Sequence, residues 1–383
     1  MDIDLYRNSP SGGVVNAPGG YQAFVPHPLP PKLDWDDALV SLISRGDIAI
    51  GKLSGLGTNL PNPHLLIYPF IRKEAVLSSR IEGTQSSLSD LFLYEATSVE
   101  RQRDVIEVRN YVRAMEYGLK RLEALPLSLR LIRELHGILM NGVRGEHATP
   151  GEFRKSQNWI GLPGCTLNDA TFVPPPVPEM HECLNQFEKF LHSGSELPYL
   201  VQLALIHYQF ETIHPFLDGN GRIGRMLITL FLCQQHVLTR PLLYVSAFFE
   251  KYRQEYYDLL GEVSRTGAWR EWIDFFLRAI TVQSEDAVSR ASRLQDLHQS
   301  YIKLHRSKKL SPTSGEMIEL IFTRPLINAR ASAELLKVTF PAAQKALATL
   351  VDIGILIEIT GGKRNKAYAA SEILGILEEE ASL

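Results

Sequence analysis

The stretch from residue 197 to residue 236 constrains the fold more than any other, because one short segment, HPFLDGNGRIGR at 214–225, interrupts a nearly continuous apolar run. The residues before it repeat with helical spacing. Pro215 lacks an N–H and crowds the preceding turn, so that helix has to end at His214. A glycine-punctuated turn follows and opens a second helix that carries Ile223, Met226, Leu227 and Leu230 inward. The turn therefore faces a helix N-terminus. Backbone N–H groups of Gly219, Asn220 and Gly221 can converge there on an anion, aided by the helix dipole. Arg222 and Arg225, three residues apart, share a face and suit phosphate oxygens, while Asp218 offers a hard oxygen ligand for Mg2+. His214, one loop away, can take a proton from an attacking hydroxyl.

Helical periodicity dominates elsewhere. It predicts helices over 35–56, 63–82, 86–96, 102–122, 127–141, 177–192 and 197–213, then over 221–236, 246–264, 268–280 and 283–306, with Gly83 placed to stop the second. The first thirty residues, rich in Pro and Gly, read as an irregular arm. Between Gly151 and Pro176 the pattern predicts a hairpin with strands 157–161 and 170–173, closed by three consecutive prolines. Beyond SKKLSPTSG the pattern changes to helices 314–323, 331–336 and 341–351, followed by strands 355–360 and 366–370. Three helices and a basic hairpin predict a winged helix. Its third helix would present Gln344, Lys345 and Thr349, and its wing Lys363, Arg364 and Lys366.

A chain of 383 residues exceeds one ordinary domain, and 45% hydrophobic with 22% charged residues predicts folded structure throughout. A net charge of -3 argues against gripping nucleic acid through the overall field. Three cysteines without CxxC spacing suggest neither a disulfide framework nor a cysteine zinc site. The N-terminus lacks a signal-peptide pattern and no apolar run is long enough to span a bilayer. A cytoplasmic location and no membrane partner are expected.

The segment 214–225 resembles the Fic (Fido) family motif HxFx(D/E)GNGRxxR at every defined position, and the resemblance spans about residues 110–280. It implies a mainly α fold: a Fic helical core with a small β-hairpin flap, plus a C-terminal winged-helix domain. The expected domains are an N-terminal helical region over 1–110, the Fic core over 111–280, a linker helix over 281–310 and the winged helix over 311–383. The implied activity is protein adenylyltransferase, or AMPylation, in which AMP moves from ATP with Mg2+ to a Ser, Thr or Tyr hydroxyl of a protein, including the chain itself. By the same resemblance His214 is the general base, Asp218 the metal ligand, and Gly219, Asn220 and Gly221 the anion nest within the nucleotide-contacting run that continues through Arg222, Ile223, Gly224 and Arg225. Gly221 departs from the phosphorylating branch, which has lysine there, and sides with the AMP-transferring one. The flap residues Trp159, Ile160, Gly161 and Leu162 would border the nucleotide and hold the target chain as an added strand, and Tyr256 with Tyr257 would line the base pocket. Plain core packing is the competing reading for Trp159 and the two tyrosines.

The stretch SSRIEGT matches the family's inhibitory motif (S/T)xxxE(G/N) through Ser78, Glu82 and Gly83. It implies autoinhibition, in which Glu82 pairs with Arg225 and displaces the γ-phosphate. Three alternatives stand beside this reading: a DNA-binding regulator acting through the winged helix, a Fic enzyme using another nucleotide, and one that removes AMP. A zinc site from His207, Glu211 and His214 leaves Pro215 and the anion nest unexplained. The GDIAIGK segment has P-loop spacing but places Leu53 where Ser or Thr must bind the metal, inside an amphipathic helix. A homodimer is left open.

Overall fold

A computed structural model describes residues 1–59, 63–97, 103–143, 149–162, 164–361 and 366–379. The wing residues Lys363 and Arg364 lie outside them. In chain order the helices are α1 (Asp37–Asn59), α2 (His64–Ile81), α3 (Leu88–Thr97), α4 (Arg103–Arg121), α5 (Leu129–Leu139), α6 (Val177–His192), α7 (Tyr199–Ile213) and α8 (Asn220–Gln234), then α9 (Ser246–Lys251), α10 (Arg253–Thr266), α11 (Trp269–Ser307), α12 (Pro312–Thr323), α13 (Ala329–Leu336), α14 (Phe340–Asp352) and α15 (Ser371–Glu378). The strands are β1 (Gly12–Ala17), β2 (Tyr21–Pro26), β3 (Leu326–Asn328), β4 (Ile357–Glu358) and β5 (Ala367–Ala369). The fold is mostly helical, as the sequence predicts. Two compact units divide it: residues 1–51 with 110–238 and 245–282, and residues 52–109 with 239–244 and 283–383.

In the first unit α7 is buried on nearly every face, from Leu200 through Ile213, as expected of a helix apolar all round. Helix α8 packs along it, and Trp272 closes the other side by donating its indole N–H to the Ala204 carbonyl at 2.9 Å. Amphipathic α5 and α6 add their apolar stripes, α5 starting where Ser128 accepts the Leu131 N–H.

Two differences from the expected elements have clear causes. The N-terminal arm is not irregular: β1 and β2 form an antiparallel hairpin from Gly12↔Pro26 to Ala17↔Tyr21, turning at Gly19 and Gly20, both with positive φ. The Pro and Gly residues read as loop markers are its turn, and Ala23 and Phe24 point into the core. The flap, conversely, is less regular than expected. Its strands reduce to one bridge, Ile160↔Phe172, with a short 3-10 turn at Leu167–Asp169 between. Pro174 to Pro176 have no N–H to extend the ladder, and the Asn158 side chain is drawn to the 214–216 loop instead.

In the second unit β3, β5 and β4 form an antiparallel sheet in that order beside α12, α13 and α14. Strand β3 is an addition to the predicted elements, and β4 and β5 are shorter than the two strands expected there. Helix α14 buries Ala343, Ala346, Leu347 and Leu350 and exposes Gln344 and Lys345. This group packs directly on α2 and α3. Asn328 donates to the Ala96 carbonyl at 2.6 Å, Arg72 pairs with Glu95 at 2.8 Å, and Ser89 bonds Glu378 through Oγ at 2.7 Å. The helical patterns over 268–280 and 283–306 belong to one continuous helix, α11.

Candidate active site

The 214–225 segment folds as its sequence requires. Helix α7 ends at Ile213, and His214 caps it in the left-handed region at φ 49, ψ 59. For a residue with a Cβ that conformation costs about 1–2 kcal/mol, so something must hold it. The His214 carbonyl accepts from Arg154 Nε at 3.0 Å and Asn158 Nδ2 at 3.2 Å. The same Asn158 amide reaches the Phe216 carbonyl at 2.8 Å, and the Arg154 backbone N–H donates to the Pro215 carbonyl at 2.9 Å. Asn220 closes the loop from the far side, its Oδ1 accepting the Phe216 N–H at 2.9 Å and its Nδ2 donating to the Phe216 carbonyl at 2.8 Å.

The imidazole of His214 has a defined tautomer. Nδ1 lies 3.1 Å from the Glu211 carbonyl, which can only accept, so the neutral ring carries its proton on Nδ1 and Nε2 is the basic nitrogen.

Helix α8 begins at Asn220 after Gly219, whose φ of 82 a side chain would strain. The Gly219 N–H donates to its neighbour's Asp218 Oδ1 at 2.6 Å, so the N–H groups left without an intrahelical acceptor are those of the first turn of α8. Of the predicted nest residues, Gly219 thus has its N–H engaged within the loop. Arg222 and Arg225, three residues apart on α8, are buried, at 3% and 1% exposure, which places two guanidinium charges within one turn of that helix start. Asp218 is half exposed, with Oδ1 3.5 Å from Arg222 Nη2. Ile223 is core, and Gly224 is required by packing, since a Cβ there would stand 2.1 Å from Glu211 Oε1.

Two buried histidines support this scaffold, and the sequence motif names neither. His136, from α5, accepts the Gly151 N–H on Nδ1 at 2.9 Å and donates from Nε2 to the Asp218 carbonyl at 3.0 Å. Its ring stacks on Phe216 at 3.7 Å, and burial pushes its pKa down to about 4. His207, from α7, bonds the Gly224 carbonyl through Nδ1 at 3.2 Å and Tyr256 Oη through Nε2 at 2.8 Å. Burial, with Arg225 nearby, holds its pKa down to about 3. Both nitrogens of His207 are thus engaged, which removes it as a zinc ligand. Among the described residues no three His, Cys, Asp or Glu side chains group as a metal site.

The remaining predicted residues divide. Tyr256 is buried, stacked on Phe249 at 4.7 Å and tied to His207; Tyr257 beside it is 42% exposed. Trp159, Ile160 and Leu162 are exposed on the flap, with the Trp159 indole N–H on the Cys165 carbonyl at 3.1 Å, and Gly161 leaves room for Cys165 Sγ. Ser78, Glu82 and Gly83 belong to the second unit: Ser78 is buried in α2, Glu82 caps that helix, and Gly83 follows at φ 94 as the expected stop. GDIAIGK lies within α1, and the P-loop reading has no loop to stand on.

A left-handed histidine thus ends one buried helix, and the next starts directly after the loop with two buried arginines in its first turns. Residues 40–120 match the family model described as Fic/DOC family N-terminal, and residues 126–232 match the Fic/DOC family model. Over these two regions the chain is similar to the Fic/DOC family. It is 28% identical over 204 residues to "Protein adenylyltransferase Fic" of Aedes aegypti, covering 51% of this chain and 37% of that protein. With the protein of the same name from Drosophila virilis it shares 30% identity over 159 residues, 40% of this chain and 30% of that one. The chain thus spans about a third of the length of these relatives. A Fic family protein from Desulfovibrio desulfuricans G20 shares the fold with a TM-score of 0.56 at 19% identity, over 89% of this chain and 98% of that chain. No helix among the described residues is long and apolar enough to cross a membrane.

Proposed function

We propose that this chain is a protein adenylyltransferase that transfers AMP from ATP to a Ser, Thr or Tyr hydroxyl of a protein, itself included, and is restrained by Glu82. The observation that carries the reading is His214, with its basic Nε2, set directly before an anion-binding helix start that bears Arg222 and Arg225. The matched relatives, named protein adenylyltransferases, support the same chemistry.

In this mechanism the first-turn N–H groups of α8 and the two guanidiniums hold the polyphosphate, and the left-handed Gly219 lets the main chain approach it closely. Asp218, a half-exposed carboxylate beside the helix start, has the hard oxygen chemistry Mg2+ requires and would hold the ion, which would supply positive charge against the phosphates. The target hydroxyl oxygen attacks the α-phosphorus, the bond to the bridging oxygen breaks, and pyrophosphate leaves. Nε2 of His214 takes the hydroxyl proton. The exposed flap residues Trp159, Ile160 and Leu162 would receive the target backbone.

The brake reading rests on the SSRIEGT match and on Glu82 standing where α2 ends. Labelled-ATP incubation tests both proposals. Glu82→Gly should raise self-modification and His214→Ala should abolish it. Equal labelling of Glu82→Gly and the parent chain removes the brake, and undiminished labelling of His214→Ala removes the mechanism.

A further inference from the structure

His214 is strained twice over. Its left-handed backbone disfavours a Cβ, and the residue before a proline is pushed toward extended conformations. In that conformation Nδ1 lies 3.1 Å from the Glu211 carbonyl, one helical turn back. A relaxed, extended His214 would swing the ring away and lose the tautomer lock.

The residue set against this relaxation lies 60 positions earlier in the chain. Arg154 is buried, at 1% exposure, and its guanidinium donates to three main-chain carbonyls: His214 at 3.0 Å, Ser156 at 3.3 Å and Pro175. Burial pushes its pKa down to about 10, with the Tyr21 phenol acting the other way. Desolvating a cation with no ion-pair partner among its hydrogen bonds is costly, and the flap base could be stapled by a neutral side chain at less expense. The geometry has a second part. Asn158, four residues on, donates to the same His214 carbonyl and to that of Phe216, so two side chains from the flap base converge on the peptide that follows the imidazole.

We infer that Arg154, with Asn158, is a positioning residue for the proton-transfer step: it holds the His214 main chain left-handed so that Nδ1 stays on the Glu211 carbonyl and Nε2 is presented as the base. Flap and base are thereby one device, since the segment exposing Trp159 and Ile160 is anchored on the His214 carbonyl. This inference rests on the proposed transferase reading for its kinetic consequence, and on the geometry alone for its structural one.

The test uses the full chain carrying Glu82→Gly, with Arg154→Met, Arg154→Lys and Asn158→Ala added singly. Single-turnover AMP transfer is followed across pH, ATP binding by calorimetry, and the His214 tautomer by 15N NMR, assigned through the signal that His214→Ala removes. Arg154→Met should slow transfer roughly 100-fold, the scale of a small misplacement at a reacting group, with ATP affinity unchanged and the Nδ1-protonated signature of His214 replaced by a mixture. Arg154→Lys should recover part of both. A rate loss that follows ATP affinity, or an unchanged tautomer signature, overturns the inference. Should the Glu82→Gly parent transfer no AMP, the proposed function fails and the tautomer signal still decides the role of Arg154. If Arg154→Met does not fold, Asn158→Ala, which removes one donor from the same carbonyl, carries both readouts.

Discussion

Acid should dismantle this site through two buried histidines. His136 and His207 are folded in neutral form, with pKa values of about 4 and about 3 against 6.5 when exposed. A histidine whose folded pKa is depressed leaves the unfolded chain binding more protons, so stability is intact above pH 6.5 and falls as pH drops toward the folded values. At pH 5 each contributes a loss of about 2 kcal/mol, since one pKa unit corresponds to about 1.4 kcal/mol. Together that is about 4 kcal/mol, a large part of the 5–15 kcal/mol typical of a whole domain. The structural route is explicit: a proton on Nδ1 of His136 displaces the Gly151 N–H, and one on Nε2 of His207 forces the Tyr256 hydroxyl to accept rather than donate. All four tryptophans, Trp35, Trp159, Trp269 and Trp272, lie in the first unit, so fluorescence-monitored urea unfolding between pH 7.5 and 4.5 reports on it. His136→Gln, which keeps a donor toward Asp218 but cannot titrate, should reduce the slope of stability against pH by about 1.4 kcal/mol per unit below pH 6. An identical slope in the variant and the parent would refute the assignment of a buried neutral His136.

Two further perturbations probe other parts of the molecule. Gly219→Ala adds a Cβ at φ 82, 3.0 Å from Met140 Sδ, and should lower stability by about 1–2 kcal/mol from the left-handed backbone while weakening ATP binding, seen together in melting curves with and without Mg-ATP. In the second unit Lys73 is buried over the Tyr244 ring and donates to the Leu377 carbonyl at 2.8 Å, with burial holding its pKa down to about 7. Its unfolded form binds the extra proton between pH 7 and 10.5, so stability should rise with pH across that window, and Lys73→Met should flatten the rise by about 1.4 kcal/mol per unit in denaturation series.

How much of this was readable in the sequence depends on whether the signal lies in backbone constraint or in burial. Pro215, Gly219 and Gly83 act through φ and ψ alone, and each stands where its residue type predicts: at a helix end, a left-handed cap and a helix stop. The N-terminal hairpin was legible in principle, because Val14, Val15, Phe24 and Val25 flank a Gly-Gly turn, but the prolines around it mimic an irregular arm. His136 could not be told from a core histidine. It sits on the apolar stripe of α5 with Leu131, Ile132, Leu135 and Leu139, and only the fold brings Asp218 and Gly151 to its two nitrogens. Arg154 is harder still. A cation between Phe153 and Lys155 reads as solvated surface, and its burial follows from a carbonyl-lined gap that no local pattern encodes.

These supporting residues share one chemistry. The carbonyls of Glu211, His214, Pro215, Phe216, Asp218 and Gly224 each lie within hydrogen-bonding reach of a donor group on His214, Arg154, Asn158, Asn220, His136 or His207. The loop between the two apolar helices is therefore held largely through its main-chain oxygens. A helix start can bind an anion only while its N–H groups point outward, and a loop fixed by its carbonyls keeps them so. The twelve-residue motif supplies the groups that would react; α5, α7 and the flap base supply the donors that keep them aimed. The HPFLDGNGRIGR segment grafted between other helices would lack His136, Arg154 and Asn158, and with them the left-handed His214 on which the proposed base depends.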